Sequence, residues 1–292
     1  MKVSDLSLFN SLTDSIIQAG SNLSTAQQQL ATGKRVVEPS DDPAAFAQAD
    51  LLQISDSATT NDGSLASQVQ NRLNAADGAL SGISNAITSA IASATQGADG
   101  TVNASQMATI AQTVQGQLTE LIQSANTNYA GVYLFGGNQT GAPPFSGTGA
   151  YAGDTGTNSA AFSTGANIQV TYNGQSIVGD NTSGAIGAMT ALINALNSGN
   201  QAAVSATLPQ LNAALEQVAT ARASVGSSLD DATAIASNST ATDTTLQSNI
   251  NQVAGADVAQ VAMNVQEETA QEQALVSMAT ELGKMPLVNI LA

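Results

Sequence analysis

The stretch Ala31–Phe46, ATGKRVVEPSDDPAAF, decides the fold because it separates two helical patterns of different character. Before it, Phe9, Leu12, Ile16, Ala19, Leu23, Ala26 and Leu30 recur at alternating three- and four-residue spacing. That is a heptad seam, the mark of a helix that needs another helix. The pattern predicts a helix from about Ser4 to Ala31, stopped by Gly33, a residue suited to a helix C-terminus. Pro39 biases the residue before it towards extended backbone. Asp41-Asp42-Pro43 then predicts a helix start: carboxylates cap free amides at the positive end of the dipole, and proline at the first helical position forfeits no hydrogen bond. At the far end, Val258, Val261, Val265, Thr269, Glu272, Val276 and Ala279 form a second seam. Two seams without a local partner point to assembly rather than to chemistry.

Composition narrows the function further. The 292 residues carry a formal net charge of −16, yet only 10% are charged. The basic residues are Lys2, Lys34, Arg35, Arg72, Arg222 and Lys284, with none between Arg72 and Arg222, so no basic stripe can follow a phosphate backbone. An acidic membrane surface would repel the chain, and no apolar run approaches the roughly 18 residues of a spanning helix. Nucleic acid and membrane insertion are therefore not expected. Histidine and cysteine are absent, which removes imidazole acid–base catalysis, thiolate nucleophiles and thiolate or histidine zinc sites. Aromatic residues make up 3% of the chain and tryptophan is missing, which disfavours an aromatic-walled ligand pocket. No enzyme, cofactor or metal is expected. The start MKVSDLSLFNSLTDS lacks a continuous apolar segment, so no cleavable secretory signal is expected.

Between the seams, helical stripes dominate. Leu65, Val69, Leu73, Ala76, Leu80, Ile83, Ile87, Ile91 and Ala94 form one; GADGTVNAS breaks it; Met107, Ile110, Val114, Leu118, Leu121 and Ala125 form the next. Leu208, Leu211, Leu215, Val218, Arg222, Val225, Leu229 and Ala232 mirror them in the second half, with Leu246, Ile250 and Val253 continuing the spacing. From Gly131 to Ser183 the chain turns rich in Gly, Thr, Asn and Ser, and the runs VYLF and NIQVTYN read as short strands. A short helix through Met189, Leu192, Ile193 and Leu196 follows. The expected fold is mainly α: an elongated helical bundle or coiled coil formed by the N- and C-terminal halves, with a small β-containing central insertion. The expected division is 1–40 with 255–292 as a terminal coiled-coil assembly domain, 41–140 with 200–254 as a helical rod domain, and 141–199 as a small outward insertion.

Several segments also carry a resemblance. LATGKRVVEPSDDPAAFAQA (Leu30–Ala49) resembles the N-terminal signature of the bacterial flagellin family. ELIQSANTNYAGVYLFGGNQTGAPPF (Glu120–Phe145), ARASVGSSLDDA (Ala221–Ala232) and DVAQVAMNVQEETAQEQALVSMATEL (Asp257–Leu282) are similar to later parts of that family. Tyr133, Leu134, Phe135, Gly137, Thr140, Pro144 and Phe145, with the ending MPLVNIL (Met285–Leu291), look more like the members that join hook to filament than like the filament subunit. The run QGQLTEL, Gln115–Leu121, stands where many flagellins have an arginine pair, so receptor recognition tied to that pair is not carried over.

The resemblance implies a structural component of the bacterial flagellum, an adapter between hook and filament that assembles through its terminal helices. Flagellin itself is the alternative. The implied partners are other axial flagellar proteins (a hook-side junction protein and flagellin), copies of the same chain, and an export chaperone. The implied location is extracellular, reached through type III export. On this reading Phe9, Leu12, Ile16, Leu23, Leu30, Val258, Val261, Val265 and Val276 form the assembly seam, and Gly33, Lys34, Arg35, Asp41, Asp42 and Pro43 form a hinge with its caps. Asp41 and Asp42 are read as helix caps rather than as an acid–base or metal pair, since adjacent side chains diverge on a helix. Arg222 is expected to pack its stem and place its head in solvent or on a carboxylate.

Overall fold

The computed structural model describes residues 2–284, so the MPLVNIL ending lies outside the described residues. The chain is mainly α, with seven helices in the described part: α1 (Lys2–Thr32), α2 (Pro43–Gly97), α3 (Ala104–Ala125), α4 (Gly174–Val178), α5 (Gly184–Asn197), α6 (Gln201–Ala254) and α7 (Val258–Lys284). Two antiparallel pairs complete it: β1 (Asn128–Tyr129) with β2 (Val132–Tyr133), and β3 (Ser159–Ala161) with β4 (Asn167–Gln169). The chain packs as two compact units, residues 1–58 with 241–292 and residues 59–240. The boundary by contacts falls within α2 and α6. The central insertion packs within the second unit.

The second unit holds a continuous apolar core. Val69, Leu73, Leu80, Ile83 and Ile87 of α2 meet Met107, Val114, Leu118 and Leu121 of α3 and Val204, Leu211, Val218 and Val225 of α6, all buried. Their spacing places each set on one helical face. The GADGTVNAS break ends α2 at Gly97, and α3 begins behind a reciprocal cap: Asn103 Oδ1 accepts the Gln106 amide, and Gln106 Oε1 accepts the Asn103 amide, both at 2.9 Å. Arg222 forms a two-pronged ion pair with Asp77, Nε to Oδ1 at 2.9 Å and a terminal NH2 to Oδ2 at 3.2 Å, so its head reaches a carboxylate across the helix packing.

The YLFGG–PPF segment is explained by burial. Leu134, Phe135 and Phe145 are almost wholly enclosed, with Val170, Tyr172, Ile186, Met189 and Leu192 around them. The Asn126 side chain, just past α3, donates to the Phe145 carbonyl at 2.8 Å and accepts the Phe145 amide at 2.9 Å, as a strand neighbour would. Gly174 lets this knot close: a Cβ there would lie 2.7 Å from the Phe135 carbonyl oxygen and 2.8 Å from the Phe145 ring. The strands are shorter than the runs VYLF and NIQVTYN, because Leu134, Tyr172 and their neighbours spend their amides on loop contacts, such as Tyr172 N–H to the Leu134 carbonyl at 2.8 Å. The tip of the β3–β4 hairpin is pinned to α2 by Asp62, whose carboxylate accepts the Ser163 amide at 3.0 Å and the Ser163 hydroxyl.

Leu80 is fully enclosed in this core. Leu80→Ala is expected to cost about 2–5 kcal/mol in urea unfolding followed by far-UV circular dichroism. Asn85→Ala, on the exposed side of the same helix, is expected to stay within about 0.5 kcal/mol.

Candidate assembly interface

In the first unit, α1 and α7 are brought side by side by their two joints. Gly33 adopts φ +66° at the end of α1, where a side chain would be strained, and its amide donates to the Gln29 carbonyl at 2.8 Å. The chain then runs antiparallel to the α6–α7 joint: Lys34 bridges Gly255, the Arg35 amide donates to the Ala254 carbonyl at 2.7 Å, and the Ala256 amide donates to the Gly33 carbonyl at 3.0 Å. The Arg35 guanidinium adds a bond to the Val253 carbonyl at 2.9 Å and lies 3.6 Å from Asp42. Val36 seals the joint from inside, only 4% exposed. Gly255 is required by space: a Cβ would fall 2.3 Å from the Asn251 carbonyl oxygen.

The two aspartates divide the work differently from the reading above. Asp42 caps α2, its Oδ1 accepting the Ala45 amide at 3.0 Å just ahead of Pro43. Asp41 does not cap the helix. Its Oδ2 accepts the Val37 and Glu38 amides, both at 2.9 Å, and so closes the turn that precedes the helix. Those bonds, Glu38 first and Val37 second, hold the Asp41 carboxyl below the usual carboxylate range. Lys34 lies exposed on the rim of the same joint. Asp257, which the stripe analysis passed over, starts α7 by accepting the Ala259 amide at 3.0 Å and the Gln260 amide at 3.2 Å. An aspartate one residue ahead of an apolar periodic run is a start signal that could have found it.

From this joint α1 runs inward and α7 runs outward, so their packing is antiparallel. The seam is thin. On α1, Ala19 and Ala26 are buried and Leu12, Ile16 and Leu23 half-buried. On α7, Val261 is buried, and Val265, Glu268, Glu272, Leu275 and Ala279 are half-buried at strict seven-residue phases. Leu275 therefore occupies the face assigned above to Val276, which is exposed. Phe9, Leu30 and Val258 keep the heptad phase yet stand largely in solvent. Two helices alone enclose alanine, but they cannot enclose larger side chains near the ends of the contact. Glu268 also sits on the seam, with Oε2 buried and without a hydrogen-bond partner.

A second feature escaped the sequence reading. The Asp243 carboxyl of α6 first, and loss of hydration second, raise the Asp56 carboxyl of α2 above the usual range, while Gln247, donating to Oδ2 at 2.7 Å, opposes the shift; Asp56 Oδ1 is enclosed without a hydrogen-bond partner. The pair comes from distant sequence positions and leaves no local trace. Among the described residues no group of three or more His, Cys, Asp or Glu could hold a metal ion, and no helix is long and apolar enough to cross a membrane.

With this geometry in hand, relatives can be placed. Residues 3–140 match the family described as the bacterial flagellin N-terminal helical region. That match covers 138 of the 292 residues. Two curated relatives are both flagellar hook-associated protein 3. That of Escherichia coli (strain K12) is 36% identical over 123 residues, 41% of this chain and 38% of its own length. That of Salmonella typhimurium (strain LT2) is 29% identical over 155 residues, 52% of this chain and 49% of its own. The chain thus matches less than half the length of either relative.

Among solved structures, a putative flagellar hook-associated protein from Vibrio parahaemolyticus superposes with a TM-score of 0.68 at 18% identity, over 74% of this chain and 100% of its own. FlgL from Bacillus cereus gives 0.63 at 19% identity over 69% and 99%, and the flagellar junction protein FlgL from Legionella pneumophila 0.55 at 16% over 69% and 100%. At these identities the likeness is one of fold.

Two predictions follow the joint. Gly255→Ala is expected to destabilise the first unit by about 1–3 kcal/mol, seen as faster exchange of the Arg35 and Ala256 amides. Gly20→Ala, in a helix interior with open space around it, is expected to stabilise by up to about 1 kcal/mol. The carboxyl groups predict opposite pH responses. Asp41, lowered, contributes stability that is present above its ordinary value of 3.8 and lost as pH falls through the lowered value. Asp56, raised, contributes stability that is full below 3.8 and lost as pH rises through the raised value. Asp56→Asn is therefore expected to raise the melting temperature near neutral pH with little effect in acid, and Asp41→Asn to lower it near neutral pH, the difference fading in acid.

Proposed function

We propose that this chain is a structural component of the bacterial flagellum, an adapter between hook and filament that assembles through its terminal helices. One observation carries the reading. Every large apolar side chain that stands exposed among the described residues (Phe9, Ile17, Leu30, Leu51, Ile54, Val258, Met263, Val276 and Met278) lies in the first unit. Among its described residues that unit buries only Ala19, Ala26, Val36, Ala254 and Val261 of its own apolar side chains, whereas the second unit holds a continuous core. The first unit thus carries the apolar surface that other chains would cover, and the second is self-sufficient.

An axial position fits this distribution. Head-to-tail contacts build rings or helical arrays rather than closed dimers. The proposed partners are a hook-side junction protein, flagellin and copies of this chain, with an export chaperone beforehand. The proposed location is the extracellular flagellum. Both curated relatives bear the hook-associated name, and one fold neighbour is described as the flagellar junction protein. A chain free of histidine and cysteine suits a structural role rather than a catalytic one. The second reading, flagellin itself, is favoured by the family match over residues 3–140.

Immuno-labelling of intact flagella separates the two: an adapter marks a ring at the filament base, and a filament subunit marks its whole length. Leu23→Asp or Val265→Asp, each placing a charge in the α1–α7 seam, is expected to abolish incorporation while the second unit keeps its helicity and protease resistance. Normal incorporation of either variant would refute assembly through the seam.

A further inference from the structure

Asn173-Gly174 is the single Asn-Gly pair in the 292 residues, and it lies inside the knot that closes the second unit. Asparagine is chemically labile because the next amide nitrogen can attack its side-chain carbon, and glycine, lacking Cβ, hinders that attack least. Here the reacting groups are engaged elsewhere. Asn173 Oδ1 accepts the Gln175 amide at 3.0 Å and the Ser176 amide at 3.4 Å, ahead of α4. The Gly174 amide, whose nitrogen would be the nucleophile, donates to the Phe135 carbonyl at 2.9 Å. Asn173 holds ψ at +105°, which turns the Gly174 nitrogen to the side of the Cα–C bond away from Cβ. Ring closure needs that nitrogen on the same side as Cβ. Gly174 is buried against the Phe135 carbonyl and the Phe145 ring, so the backbone has no room to rotate there.

We propose that Asn173 is a covalent modification site, silent in the folded second unit and open to succinimide formation whenever that unit unfolds. In the unfolded chain the Gly174 amide loses its proton to solvent, and its nitrogen bonds to Asn173 Cγ. The Cγ–Nδ2 bond breaks and ammonia leaves. Water then opens the ring. Addition at Cγ gives aspartate on the ordinary main chain. Addition at the Asn173 main-chain carbonyl gives isoaspartate, whose backbone runs through Cβ and Cγ and is one carbon longer. Water is the only co-reactant.

The knot decides which product can fold again. Aspartate keeps an oxygen for the Gln175 amide and caps α4 as asparagine does. Isoaspartate does not fit. Its extra carbon falls between two anchored residues: the Tyr172 amide donates to the Leu134 carbonyl at 2.8 Å, and the Gly174 amide to the next carbonyl along, that of Phe135. Leu134 and Phe135 are themselves fully enclosed, so neither anchor can shift to take up the added length. Time spent unfolded is thus written into the main chain, and isoaspartate chains are kept out of the folded pool.

Two portions of the whole chain, one native and one held in urea in the same mildly alkaline buffer, test the site by peptide mass spectrometry with enzymatic detection of isoaspartate. In the native portion only opened molecules can react, and these are on the order of 10⁻³ or fewer of a folded domain, so isoaspartate at 173 is expected to form about a hundredfold more slowly, or slower still, than in urea. Equal rates in the two portions would overturn the protection. An amide at 173 that survives in urea as long as the other asparagines would overturn the site itself. After urea is removed and mild protease added, the resistant second unit is expected to carry asparagine or aspartate at 173, with isoaspartate confined to the digested material. Isoaspartate in the resistant unit at its proportion before refolding would overturn the exclusion. Asn173→Ser keeps a capping oxygen and has no amide to lose. Its refolding yield is expected to be independent of the time held in urea, while that of the unchanged chain declines several-fold. An equal decline in both would place the damage elsewhere and overturn the role of Asn173.

Discussion

The first unit depends on a few backbone hydrogen bonds: Arg35 to Ala254, Ala256 to Gly33, and the Lys34–Gly255 bridge they define. Each lies between residues more than two hundred positions apart, and together they fix where α1 stops and where α7 starts. The helices meet antiparallel because their joints are tied, and the seam's heptad phase operates only within that arrangement. The local chemistry around the bridge serves it. Gly33 turns the chain, Gly255 makes room, Val36 keeps water out, and the Asp41 and Asp42 carboxylates occupy amides that would otherwise compete.

What the bridge holds together is marginal by itself. Ordering a residue costs on the order of 1–2 kcal/mol of backbone entropy, and the α1–α7 seam offsets it mainly with alanines, half-buried aliphatics and a glutamate that lacks one partner. Full burial of a large aliphatic or aromatic side chain contributes about 1.5–3 kcal/mol. The exposed Phe9, Ile17, Leu51, Ile54, Met263 and Met278 therefore represent stabilisation that the single chain leaves unused. Neighbouring chains are the natural source of that burial, so order in this unit and association become one equilibrium rather than two.

The mainly α fold was legible because heptad and helical spacing are local signals. The starts at Pro43 and the stop at Gly33 were legible for the same reason, since caps and left-handed glycines act within a few residues. The finer placements were not. Asp41 and Asp42 have equal claims to a cap in the sequence, and only the folded turn shows that one closes the loop and the other starts the helix. Val276 and Leu275 are adjacent and both apolar, so the phase of the seam is set by the partner helix rather than by the residues themselves. Asp56 with Asp243, and Gly255 with Asn251, answer to packing or backbone space that no periodicity records. Breaks in pattern mark turns, whereas compactness follows contacts, and the division by contacts falls within α2 and α6.

Charge and apolar exposure also constrain one another in this chain. A formal charge of −16 opposes indiscriminate collapse between copies, and it does so without a basic stripe that would recruit nucleic acid. The exposed apolar residues are spread over α1, α2 and α7. Covering them takes partners matched to several helices, and an arbitrary surface does not supply these. Alanine at Ala19 and Ala26 sharpens the requirement, since close-approaching helices fit there and bulky loops do not. Specificity in such a system comes from requiring several thin contacts at once, each too weak to hold a wrong partner alone. That is the property expected of a subunit that must stay single until it meets the end of a growing structure.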